Sequence, residues 1–116
     1  MVMIDKAKQG DIFYADLEPV RGREQGGRRP ILVISGDTLN DNMDIVIICP
    51  LSTSIKHFEN CVILEKSKLN GLKKDSEVIT FQIKTIAKER LFNKVGSVTP
   101  LELKQIKLDL AEILEH

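Results

Sequence analysis

Four of the five arginines of this 116-residue chain fall in one nine-residue window, Arg21-Gly22-Arg23-Glu24-Gln25-Gly26-Gly27-Arg28-Arg29, closed by Pro30. Positive charge elsewhere is almost all lysine. A guanidinium is a planar fork of donors that fits two phosphate oxygens at once, which an ammonium cannot do. The glycines let the backbone turn tightly or come close to a ligand. Glu24 and Gln25 share the stretch, so one loop carries anion-binding groups and a carboxylate able to move a proton. Arg29 differs from its neighbours, because Pro30 biases it toward an extended conformation and holds its side chain in a set direction. The window reads as a mobile cationic loop hinged on sheet and suited to phosphate; a plain solvated loop is the competing reading.

A second group of candidates lies downstream. Ser52 and Thr53 follow Pro50, where a hydroxyl either forms a turn or, if this loop faces the arginines, hydrogen-bonds a phosphate oxygen. Lys56 and His57 come next. His57 is the only histidine besides the last residue, and its position suits a general acid, an RNA contact or an exposed loop residue with no role. Phe58 beside it can stack on a base or plug the end of a barrel. No G-x-S-x-G elbow is present, so a serine-nucleophile triad is not expected. The cysteines and histidines lack zinc spacing and no acidic cluster suggests a two-metal nuclease, so neither metal nor cofactor is expected.

The elements that must position these residues are mostly strands. Ile12 to Leu17 is a short strand pattern ending at Pro19, and Ile31 to Ser35 is a second, stopped by Gly36-Asp37. Thr38 to Asp44 is polar and turn-like. Ile45-Val46-Ile47-Ile48-Cys49 is a strand buried on both faces that stops at Pro50. Cys61 to Leu64 is a fourth strand. Lys66 to Ser76 is a lysine-rich loop around Gly71. Val78 to Ile86 alternates as a half-exposed strand, and a short strand around Val95 to Val98 follows. Thr99-Pro100-Leu101-Glu102 is a capping box with proline at the first helical position. Leu103, Ile106, Leu110, Ile113 and Leu114 then form one apolar helical stripe, with Leu101 and Leu108 off it. These elements predict a mainly β chain: a small, mostly antiparallel barrel of five or six strands with a C-terminal helix laid across it.

The length suits one domain over residues 1–116 with a single core. Cys49 and Cys61 lie in strand-like segments without close pairing, which predicts buried free thiols and a reducing cytoplasmic location. No apolar run approaches membrane-spanning length, and a secretory leader is not expected. Formal net charge is zero, so a polyanion must be held by a local patch and not by a global field.

Three stretches together resemble the MazF/PemK toxins. Gly10-Asp11-Ile12-Phe13-Tyr14-Ala15-Asp16-Leu17-Glu18-Pro19 with Gly22 to Pro30 resembles their N-terminal signature. Pro50-Leu51-Ser52-Thr53 is similar to their second motif, and Gln82-Ile83-Lys84-Thr85-Ile86 to their third. The similarity runs nearly end to end. It implies an SH3-like antiparallel barrel of the CcdB/PemK type with a C-terminal α-helix, and a homodimer. It also implies a ribosome-independent endoribonuclease (an mRNA interferase) that cuts single-stranded RNA at short sequences. The expected partner is a cognate antitoxin whose acidic, disordered tail lies over the RNA site. By the same resemblance Arg29 matches the catalytic arginine, Ser52 the position of a catalytic threonine, and Glu24 a glutamate implicated in activity. Two positions depart from the pattern: Ser52 lacks the threonine methyl that restricts the rotamer, with Thr53 next door able to share the role. Phe81 stands where some members carry an acid.

The residues support metal-free transesterification. Arg29 would stabilise the phosphorane, since a guanidinium holds its proton too tightly to make a good base. Glu24 would act as base, and Ser52, supported by Thr53, would orient the phosphate. Arg21, Arg23, Gln25, Arg28, Lys56 and His57 would bind RNA around that centre. Three alternatives share the barrel: a non-enzymatic toxin that binds DNA gyrase as the CcdB proteins do, a barrel that binds RNA without cutting it, and a degenerate toxin that keeps only its antitoxin.

Overall fold

The computed structural model describes residues 6–18, Gly22 and residues 26–116. Within them, seven strands and two α-helices follow one another as β1 (Asp11–Asp16), β2 (Arg28–Val33), α1 (Asp37–Asn42), β3 (Ile45–Ser52), β4 (Ile63–Leu64), β5 (Ser76–Val78), β6 (Lys84–Ala87), β7 (Leu91–Ser97) and α2 (Pro100–Glu115). Every pairing is antiparallel, in the order β4-β5-β3-β2-β1-β7, with β6 on the free stretch of β3.

Alternation along the central strands makes two cores. Ile12, Leu32 and Cys49 face one side, where they meet Leu51, Leu64, Val78 and the buried Ile106 and Leu110 of α2. Phe13, Ile31, Val33 and Ile48 face the other, with Leu17, Val46, Ile86 and Leu91. β3 is therefore buried on both faces, as its uninterrupted apolar run predicts.

α2 starts where its capping box places it. The Thr99 hydroxyl accepts the Glu102 N–H at 3.1 Å, and the Glu102 carboxylate accepts the Thr99 N–H at 2.8 Å. Ile106 and Leu110 are buried and Leu103 and Ile113 pack beside them, but Leu114 is 77% exposed and leaves the expected stripe. No helix among the described residues is long and apolar enough to cross a membrane.

Several boundaries differ from expectation, each for a tertiary reason. The sheet has seven strands, because Val78 to Ile86 is not one strand. β5 ends at Val78, a 3₁₀ turn occupies Thr80–Gln82, and β6 begins at Lys84. Ile79 N–H bonds the Pro50 carbonyl at 2.9 Å, which ends pairing with one sheet before β6 joins β3 from the other. β3 continues through Pro50 to Ser52, because its last residues change partner from β2 to β5. Thr38 to Asp44 is largely helix α1, where the buried Asn40 side chain bonds the Ser35 carbonyl at 2.8 Å. The strand expected at Cys61 to Leu64 shortens to two residues, and the one expected at Val95 lengthens to Leu91–Ser97. Arg28 and Arg29 belong to β2, not to the loop before it, while Ile34 and Ser35 lie beyond its end. Cys49 and Cys61 are both free, but only Cys49 is buried; Cys61 is half-buried.

Gly71 anchors the lysine-rich loop to β7. Its φ is +66°, and a Cβ there would lie 2.0 Å from the Val95 carbonyl oxygen, so no other residue fits.

Candidate active site

The β1–β2 hairpin is pinched where the arginine window re-enters the sheet. Leu17 N–H bonds Gly27 O at 3.0 Å, and Gly27 N–H bonds a Glu18 carboxylate oxygen at 2.9 Å. Gly27 has φ +74°, a conformation that residues with a Cβ rarely adopt, and it turns the chain into β2. Arg21, Arg23, Glu24 and Gln25 lie outside the described residues.

Arg29 is half-buried, and its guanidinium is directed by two backbone carbonyls. Nε donates to Gly26 O at 2.7 Å, and Nη1 points to Leu51 O at 3.4 Å. The second contact joins it to the end of β3. The β2–β3 register sets Ile31 against Pro50; continued two residues, it puts Arg29 and Ser52 on the same face. Partial burial lowers the Arg29 pKa from its ordinary value, since removing water disfavours the charged form. A desolvated guanidinium still carries its charge, but parts with a proton more readily.

Ser52 is 8% exposed. Its Oγ accepts the Ser54 N–H at 3.1 Å, while Ser54 O lies 3.5 Å away, at the limit for the hydroxyl to donate. The hydroxyl thus forms the turn expected of a serine at a strand end, yet its proton is weakly engaged and can serve a phosphate oxygen. Thr53 is exposed, one residue further and beyond the end of β3.

The alternation of β2 sends Arg28 the opposite way. Its guanidinium lies 5.6 Å from the centroid of the Phe92 ring, which in turn stacks on Tyr14 at 6.0 Å. The two adjacent arginines therefore sit on opposite faces, and Arg29 reaches the end of β3 through the Leu51 carbonyl.

Lys56, His57 and Phe58 are exposed on the loop after Ser52. Phe58 does not plug a barrel end: it meets Phe81 edge-on, with centroids 5.1 Å apart, and both rings are about half exposed. Phe81 and Gln82 belong to the 3₁₀ turn, against which α2 packs. Among the described residues, no group of three His, Cys, Asp or Glu side chains is placed to hold a metal.

Sequence reasoning missed Glu77. It is fully buried in β5, directly across from Ser52, and its carboxylate accepts the backbone N–H groups of Lys56 and Phe58 at 2.8 Å each. The available signal was an acid inside the otherwise unchargeable run Ser76-Glu77-Val78-Ile79-Thr80. Its partners lie about twenty residues upstream, so local pattern gave no hint of its task.

Comparisons with known proteins show the family and agree with the fold. Residues 8–114 match the family of PemK-like, MazF-like toxins of type II toxin–antitoxin systems. The endoribonuclease MazF of Staphylococcus saprophyticus is 38% identical over 101 residues, covering 85% of this chain and 83% of that protein. The endoribonuclease MazF of Staphylococcus epidermidis is 39% identical over 106 residues, covering 90% and 86%. Among solved structures, MazF of Deinococcus radiodurans superposes with a TM-score of 0.81 at 23% identity, over 95% of this chain and 97% of that one. A mycobacterial endoribonuclease in complex with its cognate antitoxin gives 0.75 at 23% identity, over 96% and 95%. The antiparallel sheet, the C-terminal helix and the contact of Arg29 with the end of β3 are thus set in a chain that belongs to the PemK-like, MazF-like toxin family.

Proposed function

We propose that this protein is the endoribonuclease toxin of a type II toxin–antitoxin pair, cutting single-stranded RNA without a metal ion. The observation that carries the chemistry is Arg29, half-buried and directed by Gly26 O toward the Leu51–Ser52 peptide. Family membership and the two staphylococcal relatives, both endoribonucleases, support the activity.

In the proposed reaction the 2′-oxygen of the substrate attacks the adjacent phosphorus, and the bond to the 5′-oxygen of the next nucleotide breaks. A 2′,3′-cyclic phosphate and a 5′-hydroxyl result. The 2′-OH proton passes to a base, assigned to Glu24, and the leaving oxygen takes up a proton. Arg29 stabilises the charge on the phosphorane oxygens, and its lowered pKa also suits it to donate that second proton. Ser52 orients the phosphate, with Thr53 in support. Lys56, His57, Arg21, Arg23 and Gln25 bind RNA around this centre. Arg28 contacts RNA from the Phe92 face, at a distance from the reacting phosphate.

The active species is a cytoplasmic homodimer of single-domain chains. An antitoxin with an acidic disordered tail would neutralise it by covering the arginines. Incubation with one long defined RNA, followed by mapping of ends, tests the reading. Expected are discrete cuts with cyclic phosphate and 5′-hydroxyl ends, unchanged by EDTA. Intact RNA overturns the nuclease assignment; cleavage lost in EDTA and restored by magnesium overturns the metal-free step.

A further inference from the structure

Glu77 is a carboxylate with no exposed surface, placed in β5 opposite Ser52. A buried acid must be matched by donors, and both of its oxygens are: one takes the Lys56 N–H and the other the Phe58 N–H, each at 2.8 Å. The two amides flank His57, whose φ is +56°. That left-handed conformation is unfavourable for a residue with a Cβ, so an unsupported turn would leave it. Two charge-assisted hydrogen bonds hold it in place. Successive backbone N–H groups in such a turn form an anion-binding nest, here filled by the protein's own side chain.

The three residues of the turn present a cation, an imidazole and an aromatic ring to solvent. Phe58 is braced against Phe81, and Thr80 Oγ1 donates to Asn60 O at 2.7 Å, fixing the far end of the loop. A fully buried charge is a demanding way to hold an exposed turn. What it gains is a fixed direction for three RNA-suited side chains beside Ser52.

We propose that Glu77 is a positioning residue for RNA cleavage: through the Lys56 and Phe58 amides it presets the 56–58 turn to grip the nucleotides on one side of the scissile phosphate. The inference rests on the endoribonuclease reading above. Glu77 does not touch RNA; its carboxylate bonds the 56–58 turn, whereas the Ser52 hydroxyl is engaged by Ser54 and the Arg29 guanidinium is directed by Gly26 and Leu51, so the effect of changing its side chain falls on binding.

Steady-state cleavage of a single-stranded oligoribonucleotide containing one mapped site tests this with Glu77→Gln and Glu77→Met. Glutamine turns an NH₂ group toward one of the two amides; methionine leaves both without an acceptor. Expected is a KM raised about tenfold with kcat within about threefold of wild type, together with relaxed preference at nucleotides beside the cut. An unchanged KM and preference overturns the proposal, as does a fall confined to kcat. If neither variant folds, the unmodified protein decides through its amide signals, titrated with an uncleavable oligonucleotide carrying 2′-deoxyribose at the cut. The Lys56 and Phe58 amides should exchange slowly and shift on binding. Rapid exchange, or silence of both while the Arg29 Nε signal shifts, overturns the role. Wild-type protein that neither cuts nor binds RNA defeats the parent reading instead, an outcome distinct from these.

Discussion

Arg28 and Arg29 are the same residue one peptide apart, yet the sheet gives them different surroundings. Arg29 is half-buried, directed by two carbonyls and joined to the end of β3. Arg28 is exposed, and its guanidinium lies over Phe92 on the opposite face. Ser52 and Thr53 repeat the contrast, one 8% exposed with its hydroxyl in a turn, the other open to solvent. Cys49 and Cys61 repeat it once more in the core. In each pair residue type is equal or nearly so, and the place in or beyond the sheet decides what the side chain meets. For the arginines and hydroxyls, the member held by backbone is the one proposed for chemistry; for the thiols, burial makes Cys49 the less reactive of the two.

The largest test of this contrast is Arg29→Ala, expected to lower kcat on a defined RNA by about 10³-fold while the protein stays folded. Arg29→Lys should recover little of it, because an ammonium cannot span the Gly26 and Leu51 carbonyls while facing phosphate. Near-normal cleavage by either variant removes Arg29 from the centre. Next comes Ser52→Ala, expected to lose about ten- to a hundredfold in kcat/KM, the worth of one hydrogen bond to a charged group. Thr53→Ala should stay within about threefold. The reverse order would move the active hydroxyl to position 53.

Arg28→Ala should be milder still. A KM increase of about threefold is expected, with kcat unchanged and a shallower salt dependence of RNA binding by about 0.7 in logarithmic slope. A kcat loss comparable to that of Arg29→Ala would erase the distinction between the two faces.

The smallest effect lies in the thiols. Burial, and secondarily nearby Cys61, raises the Cys49 pKa to about 12. Iodoacetamide at neutral pH should therefore spare Cys49 in the folded protein and label Cys61 first, as mass spectrometry can show. A raised thiol pKa also fixes the sign of a pH effect. Neutral Cys49 supports the fold below the ordinary thiol value of 9.0, and the support is lost as pH climbs from there toward 12. A Cys49→Ala protein should show less alkaline loss, read from denaturation midpoints.

What could be read from the chain follows the range of the interactions. The capping box of α2 and the doubly buried strand from Ile45 depend on neighbours in sequence, and both begin where expected, though β3 runs on to Ser52. The arginine window was legible as a cationic stretch, and Arg29 stood apart within it because Pro30 acts locally. The opposed directions of Arg28 and Arg29 required knowing that both lie within β2. The break at Thr80–Gln82 was hidden because alternation of residue types continues across it, while the hydrogen bond that ends β5 comes from Pro50. Helix α1 was hidden because its buried face is an asparagine satisfied by Ser35. Glu77 was invisible for the same reason on a larger scale: its partners are backbone amides, which carry no residue identity.

β3 serves two partners, β2 up to Pro50 and β5 at Leu51 and Ser52. This has a consequence for the order of synthesis. A nascent chain that has emerged through Ser52 already carries the arginine window and both hydroxyls, but not the strand that fixes where Ser52 stands. β5 and its carboxylate leave the ribosome some two dozen residues later, and β7, which pairs with β1, later still. Pairings this distant in sequence form slowly and late. The sheet that carries Arg29 and Ser52 is thus closed late, after β5 has reached β3 and β7 has reached β1.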